Sequence, residues 1–337
     1  MTNVEKEAYN IHKKSLLVEL HSDFPVDLIR RKRAGEQNVL SRVWLPKIIK
    51  GGVNASNLII GGDTIASGKT VEEILEAIAY LKEEISLEDK VELATTARDI
   101  EDLFKQGKVA IIFGLEGATP IGTKITNVQV FYQLGLRIVQ LTWNGRNMVA
   151  DGVSENRTGG GLTNFGVQLI EEMNRLGIII DMSHLSQKGI SDVLQLAKAP
   201  VICSHSNCSS LCNHPRNLDD KTIKDIANKG GLIGIVFYPK FLRDDGKRPD
   251  VDDVIRHIDY IKSIAGEDHI GLGPDYIHFS PELIHKPPIP RYPENLEEVD
   301  QLPNLTVGLM KKGYSEGTIE KIFGTNFLRV AKEIWRQ

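Results

Sequence analysis

The chain has 337 residues, 41% hydrophobic and 26% charged, so it can bury a sizeable core and does not resemble a disordered sequence. Its net charge of −4, from 41 Lys and Arg against 45 Asp and Glu, argues against a dedicated nucleic-acid binder, which needs surplus cations on one face. Three cysteines, Cys203, Cys208 and Cys212, are an odd number crowded into one short stretch, which is no disulfide framework and fits a reducing compartment.

The first fifteen residues hold no apolar stretch followed by a small-residue cleavage site, and no apolar run is long enough to span a bilayer. A cytoplasmic protein without a membrane anchor is expected. Taken in chain order, strands are predicted at Leu16–Leu20, Leu58–Ile60, Val109–Leu115, Arg137–Thr142, Ile178–Met182, Val201–Ser204, Leu232–Phe237 and His269–Leu272. Most are continuously apolar, as strands covered on both faces are. Helical patterns separate them, the clearest running from Thr163 or Asn164 as cap to Gly177 as terminator, with others at Val71–Leu81 and Lys221–Lys229. Eight strands alternating with helices predict a single (β/α)8 TIM barrel over 1–337, ahead of an open doubly wound sheet. A segment at about 280–303 holds six of the fourteen prolines and is expected to be a stiff loop after the eighth strand.

Three motifs are set aside. Gly62 to Gly68 resembles a phosphate-binding loop in context, but five residues separate the glycines where that loop needs four. The run Arg30–Arg33 has no interleaved aromatics and is expected on a solvated face. The cysteines around His205 lack paired ligand spacing at both ends, and Cys203 reads as a small core residue.

Strand ends carry the chemistry. His21 and Asp23 follow the first strand, Glu116 the third, His184 the fifth, His205 the sixth and Asp275 the eighth. Singly each reads as a helix cap or a satisfied loop residue. In a barrel, however, the C-terminal strand ends converge on one pocket. A site of His, Asp and Glu suits Zn²⁺ or a similar ion, and five ligands are more than one catalytic metal normally takes from protein. Two Zn²⁺ ions are therefore expected, one on His21 and Asp23, the other on His184 and His205, with Glu116 bridging and a shared hydroxide as nucleophile. Asp275 remains as proton shuttle. Arg216, beyond the sixth strand, is suited to a substrate carboxylate, and Tyr238, ending the seventh, could line the same pocket.

The ordered blocks His21-Ser-Asp23, Gly114-Leu-Glu116-Gly117, Leu141-Thr142, Asp181-Met-Ser-His184, Ser204-His205-Ser206, Arg216-Asn217, Gly271-Leu-Gly273 with Asp275, and Gly324-Thr-Asn326 resemble the membrane (renal) dipeptidase family, the M19 metallopeptidases. The resemblance covers nearly the whole chain. It implies the same five zinc ligands, with Asp275 as general acid/base, Arg216 on the substrate's C-terminal carboxylate, a dipeptide as substrate and a homodimer. Three departures stand out: Trp143 replaces a histidine that contacts substrate in mammalian members, Ile277 replaces a second aspartate, and Glu19-Leu20 replaces Asp-Gly. An indole N–H donates a hydrogen bond but cannot titrate, so Trp143 bears on substrate preference. The alternatives are a dinuclear barrel hydrolase of another amide, a lactam or a phosphoester, or a barrel retained as a non-catalytic scaffold.

Overall fold

The computed structural model describes residues 1–64, 68–276 and 292–336. Its strands are β1 Val18–Ser22, β2 Ala55–Gly62, β3 Val91–Leu93, β4 Val109–Glu116, β5 Leu136–Gln140, β6 Ile179–Asp181, β7 Ile202–Cys203, β8 Leu232–Ile235 and β9 Ile270–Leu272. All pair in parallel, because a helical or irregular crossover separates each from the next. The pairings β1–β9 and β2–β4 close an eight-stranded ring, the (β/α)8 barrel expected.

β3 stands outside that ring and was not foreseen. It pairs with Val109–Ile111 at the start of β4, while β5 pairs with the same strand from Phe113 onward. Val91-Glu-Leu93 is three residues long with an exposed centre, so it offers no apolar run to read.

Alternation along the strands divides the core. Ala110, Ile112, Ile138, Ile179, Ile202 and Leu232 cluster with apolar residues of the helices Ala97–Lys105 and Asn326–Ile334. Ile111, Phe113, Leu115, Val139, Ile180, Ile233 and Ile235 join a separate, larger cluster with the other helices. The helix Asn164–Leu176 begins and ends on the expected residues: Thr163 Oγ1 accepts from Gly166 N, and Gly177 closes it at φ 80°.

One expectation needs correction. In the basic run, Lys32 is buried against Glu84 at 3.1 Å, Arg30 and Arg31 pair with Asp27, and Arg33 pairs with Glu76, so this is a paired face of the helix Phe24–Arg33. Residues 277–291, which include Ile277 and the first half of the Pro-rich segment at about 280–303, lie outside the described residues, whereas Tyr292, Leu296, Val299 and Leu302 of that segment are buried. Its second half is packed structure.

Candidate active site

Local geometry aims each side chain at the barrel mouth. β1 carries a bulge: Glu19 pairs with Ser56 but Ser22 with Leu58, one extra residue on the β1 side. A bulge resets the strand's alternation, and here it falls between Glu19 and Ser22, the stretch that contains His21. Asp23 occupies the cap position of the following helix, yet its carboxylate makes no capping bond. Glu116 is the last residue of β4. His184 and Asp275 both have left-handed backbones, φ 65° and 58°, and make up two of the four such non-glycine residues described. Conformations of this kind cost about 1–3 kcal/mol and persist where the surroundings impose them, often at functional sites.

The six side chains predicted from strand ends meet. Glu116 Oε1 lies 3.3 Å from His184 Nε2, 3.6 Å from His21 Nε2 and 3.7 Å from His205 Nε2. His21 Nε2 is also 3.7 Å from Asp23 and 3.8 Å from Asp275. Among the described residues, two sets have donor atoms within 4.8 Å of one another: His21, Glu116 and His205, and His21, Asp23 and Asp275. Asp275, expected outside the ligand set, thus sits as close to His21 as Asp23 does.

The residues fit a divalent cation. His21 is fully buried and neither ring nitrogen has a hydrogen-bond partner among the described residues, an arrangement native proteins rarely leave uncompensated. His184 Nδ1 meets Asn144 Oδ1 at 2.7 Å, so the ring donates there and its Nε2 keeps a lone pair, 2.8 Å from His205 Nε2. That lone pair faces the Glu116 carboxylate, and a cation reconciles the two. Ser204 Oγ lies 2.8 Å from His205 Nδ1.

Electrostatics set the protonation of the groups. Burial disfavours a charged His21, but Glu116, Asp23 and Asp275 outweigh it and raise its pKa to about 10. Burial raises Asp275 to about 7 against the pull of His21, and holds Glu116 well above the usual carboxylate range. His184 and His205 are driven well below the ordinary histidine value, by burial first and then by nearby cations. Both are therefore neutral, the form that ligates metals.

Arg216 is buried and donates from Nη2 to His205 O at 3.1 Å, its guanidinium 5.5 Å from the Phe241 ring centre, while Nε has no partner among the described residues. Burial lowers its pKa to about 10, so it stays charged at neutral pH. Tyr238 packs on Phe241 at 4.7 Å, and burial, followed by the field of Asp275, raises its hydroxyl. Trp143 lies at the same rim, 6.0 Å from the His184 ring.

Sequence reasoning passed over the supports. Asp181 Oδ1 accepts from both Ser183 N and Ser204 N, tying the end of β6 to the end of β7 and so His184 to His205. A carboxylate inside the apolar run Ile178–Met182 was the available signal. Asn144 offered none, because its partner is forty residues away.

A closed parallel barrel with imidazoles and carboxylates gathered at its C-terminal strand ends defines a metallohydrolase. The comparisons place it more narrowly. Residues 5–336 match the profile of the membrane dipeptidase family, peptidase family M19. A Klebsiella pneumoniae protein described only as uncharacterized, in the pqqA 5' region, is 33% identical over 80% of this chain and 99% of its own length. Dipeptidase tcpJ of Claviceps purpurea is 34% identical over 73% of this chain, which spans only 56% of that protein. A Rhodobacter sphaeroides metallopeptidase, solved with a phosphinate mimic of the dipeptide L-Ala-D-Ala, superposes with a TM-score of 0.84 at 25% identity, covering 95% of this chain and all of its own. The chain belongs to the membrane dipeptidase family (M19) and is an enzyme of the metallo-dipeptidase type. No helix among its described residues is long and apolar enough to cross a membrane.

Proposed function

We propose that this enzyme hydrolyses the peptide bond of dipeptides, with two zinc ions held by His21 and Asp23 on one side, His184 and His205 on the other, and Glu116 between them. The observation that carries this reading is the meeting of three imidazole Nε2 atoms around one Glu116 oxygen, all within 3.7 Å. Divalent ions bound there supply Lewis acidity and water activated at neutral pH.

The chain's own residues supply the rest. Arg216 presents a buried cation whose fork suits a carboxylate, which favours substrates with a free C-terminus over amides that carry no anionic group. Asp275, with its pKa raised to about 7, can hold a proton near neutral pH and give it to the departing amine. Trp143 and Tyr238 border the position where a substrate side chain would lie, and bear on which dipeptides are accepted.

Metal content and hydrolysis of a dipeptide panel, L-Ala-D-Ala included, test the proposal on the purified protein. About two zinc ions per chain with turnover is the expected result. Bound zinc without turnover of any dipeptide would keep the site and remove the substrate.

A further inference from the structure

The glycine-rich turn after β2, set aside as a phosphate loop, contains a carboxylate that joins three strand-end segments. Asp63 N donates to Glu116 O at 2.8 Å. Asp63 Oδ1 accepts from Thr119 N at 2.9 Å, beyond β4. Its Oδ2 accepts from Asn147 Nδ2 at 2.7 Å and Trp143 N at 3.3 Å, both beyond β5. Contact is tight on both sides: a Cβ on Gly62 would lie 1.9 Å from Glu116 O, and one on Gly117 2.2 Å from the Asp63 carboxyl carbon.

We propose that Asp63 is a positioning residue that registers the Trp143–Asn147 segment against Glu116, and through it sets both the imidazole of His184 and the Trp143 wall of the pocket. Between the two residues that Asp63 holds beyond β5 sits Asn144, whose side chain receives His184 Nδ1–H. The 3.3 Å approach of His184 Nε2 to Glu116 Oε1 is thus referenced to one carboxylate from both sides. Three donors converge on that carboxylate, so an amide in its place must turn an NH₂ group toward at least one of them. The inference rests on the reading that Glu116 and His184 hold a metal ion and that Trp143 borders the substrate.

The test compares Asp63→Asn with Asp192→Asn in the full-length protein. Asp192 Oδ2 accepts from Leu162 N, an anchor farther along the same connection, and its other carboxylate oxygen pairs with Lys188, so its hydrogen bonds among the described residues go to no site residue. Zn²⁺ affinity is read by chelator competition, kcat and KM with a hydrolysed dipeptide, and thermal stability alongside. Asp63→Asn is expected to weaken Zn²⁺ binding about tenfold and to raise KM, since changes in groups that orient metal ligands cost roughly 10–100-fold. Asp192→Asn is expected to leave both unchanged even where its stability falls as far. Wild-type affinity and kinetics in Asp63→Asn, or equal losses in both variants, would overturn the proposal. Should Asp63→Asn not fold, Asn147→Ala, which removes one arm, decides by the same two readouts. If the wild type turns over no dipeptide, the proposed function falls while the Zn²⁺ comparison still decides the role of Asp63.

Discussion

His184 Nε2 and His205 Nε2 lie 2.8 Å apart, and both face the same oxygen of Glu116. Two imidazole nitrogens and a carboxylate oxygen at that spacing offer a divalent cation three donor atoms at once. Glu116→Gln, which removes the shared charge at constant shape, is expected to lose at least one zinc ion per chain. Hydrolysis should fall on the order of a hundredfold or more, because changes even in outer-shell groups cost 10–100-fold. Metal analysis with steady-state kinetics checks this, and full zinc occupancy in the variant would contradict the bridging role.

Asp275→Asn separates ligation from proton transfer. As a proton donor its loss should lower kcat by roughly 10²–10⁴ while zinc content stays at the wild-type value. A variant that loses zinc in proportion to activity would instead make Asp275 a ligand, the role its 3.8 Å distance to His21 also permits.

Arg216→Lys tests carboxylate recognition with charge retained but the fork removed. Hydrogen bonds to charged groups contribute about 1.5–3 kcal/mol, so kcat/KM for dipeptides should drop about 10–150-fold. The wild type should discriminate against dipeptide amides, and the variant should lose most of that discrimination. Unaltered preference for the free acid would remove Arg216 from substrate binding.

His257 makes stability depend on pH away from the site. It is buried, its Nδ1 accepts from Cys208 N and its Nε2 donates to Leu242 O, and burial pushes its pKa down to about 4. The unfolded chain binds this proton near pH 6.5 and the folded one only near pH 4, so stability is complete above 6.5 and is lost as pH falls through that window. The loss amounts to about 3 kcal/mol, from 1.36 kcal/mol per pKa unit. Urea titrations at pH 7 and pH 4.5 should show His257→Gln less pH-sensitive than the wild type, and equal sensitivity would refute the assignment.

Much of the site was legible because its residues sit at the ends of strands that are themselves conspicuous. Val109–Leu115 announces itself as a covered strand, and Glu116 follows it directly. β3 was illegible for the opposite reason, being short and half-exposed. Lys32 looked solvated because a sequence displays its charge and conceals its partner Glu84, fifty-two residues away.

Strand and helix periodicity, a cap at Thr163 or Asn164 with Gly177 as terminator, and the placing of three histidines and three acids at strand ends were determined by the sequence alone, since each depends on neighbours within a few residues. Which of those side chains share one oxygen was decided only by closure of the ring through β1–β9 and β2–β4. The same holds for the support beneath them: Asp63 reaches Trp143 across eighty residues and Asn144 reaches His184 across forty. Hydrogen bonds of that span depend on the tertiary register of the barrel, and local chemistry carries no trace of it.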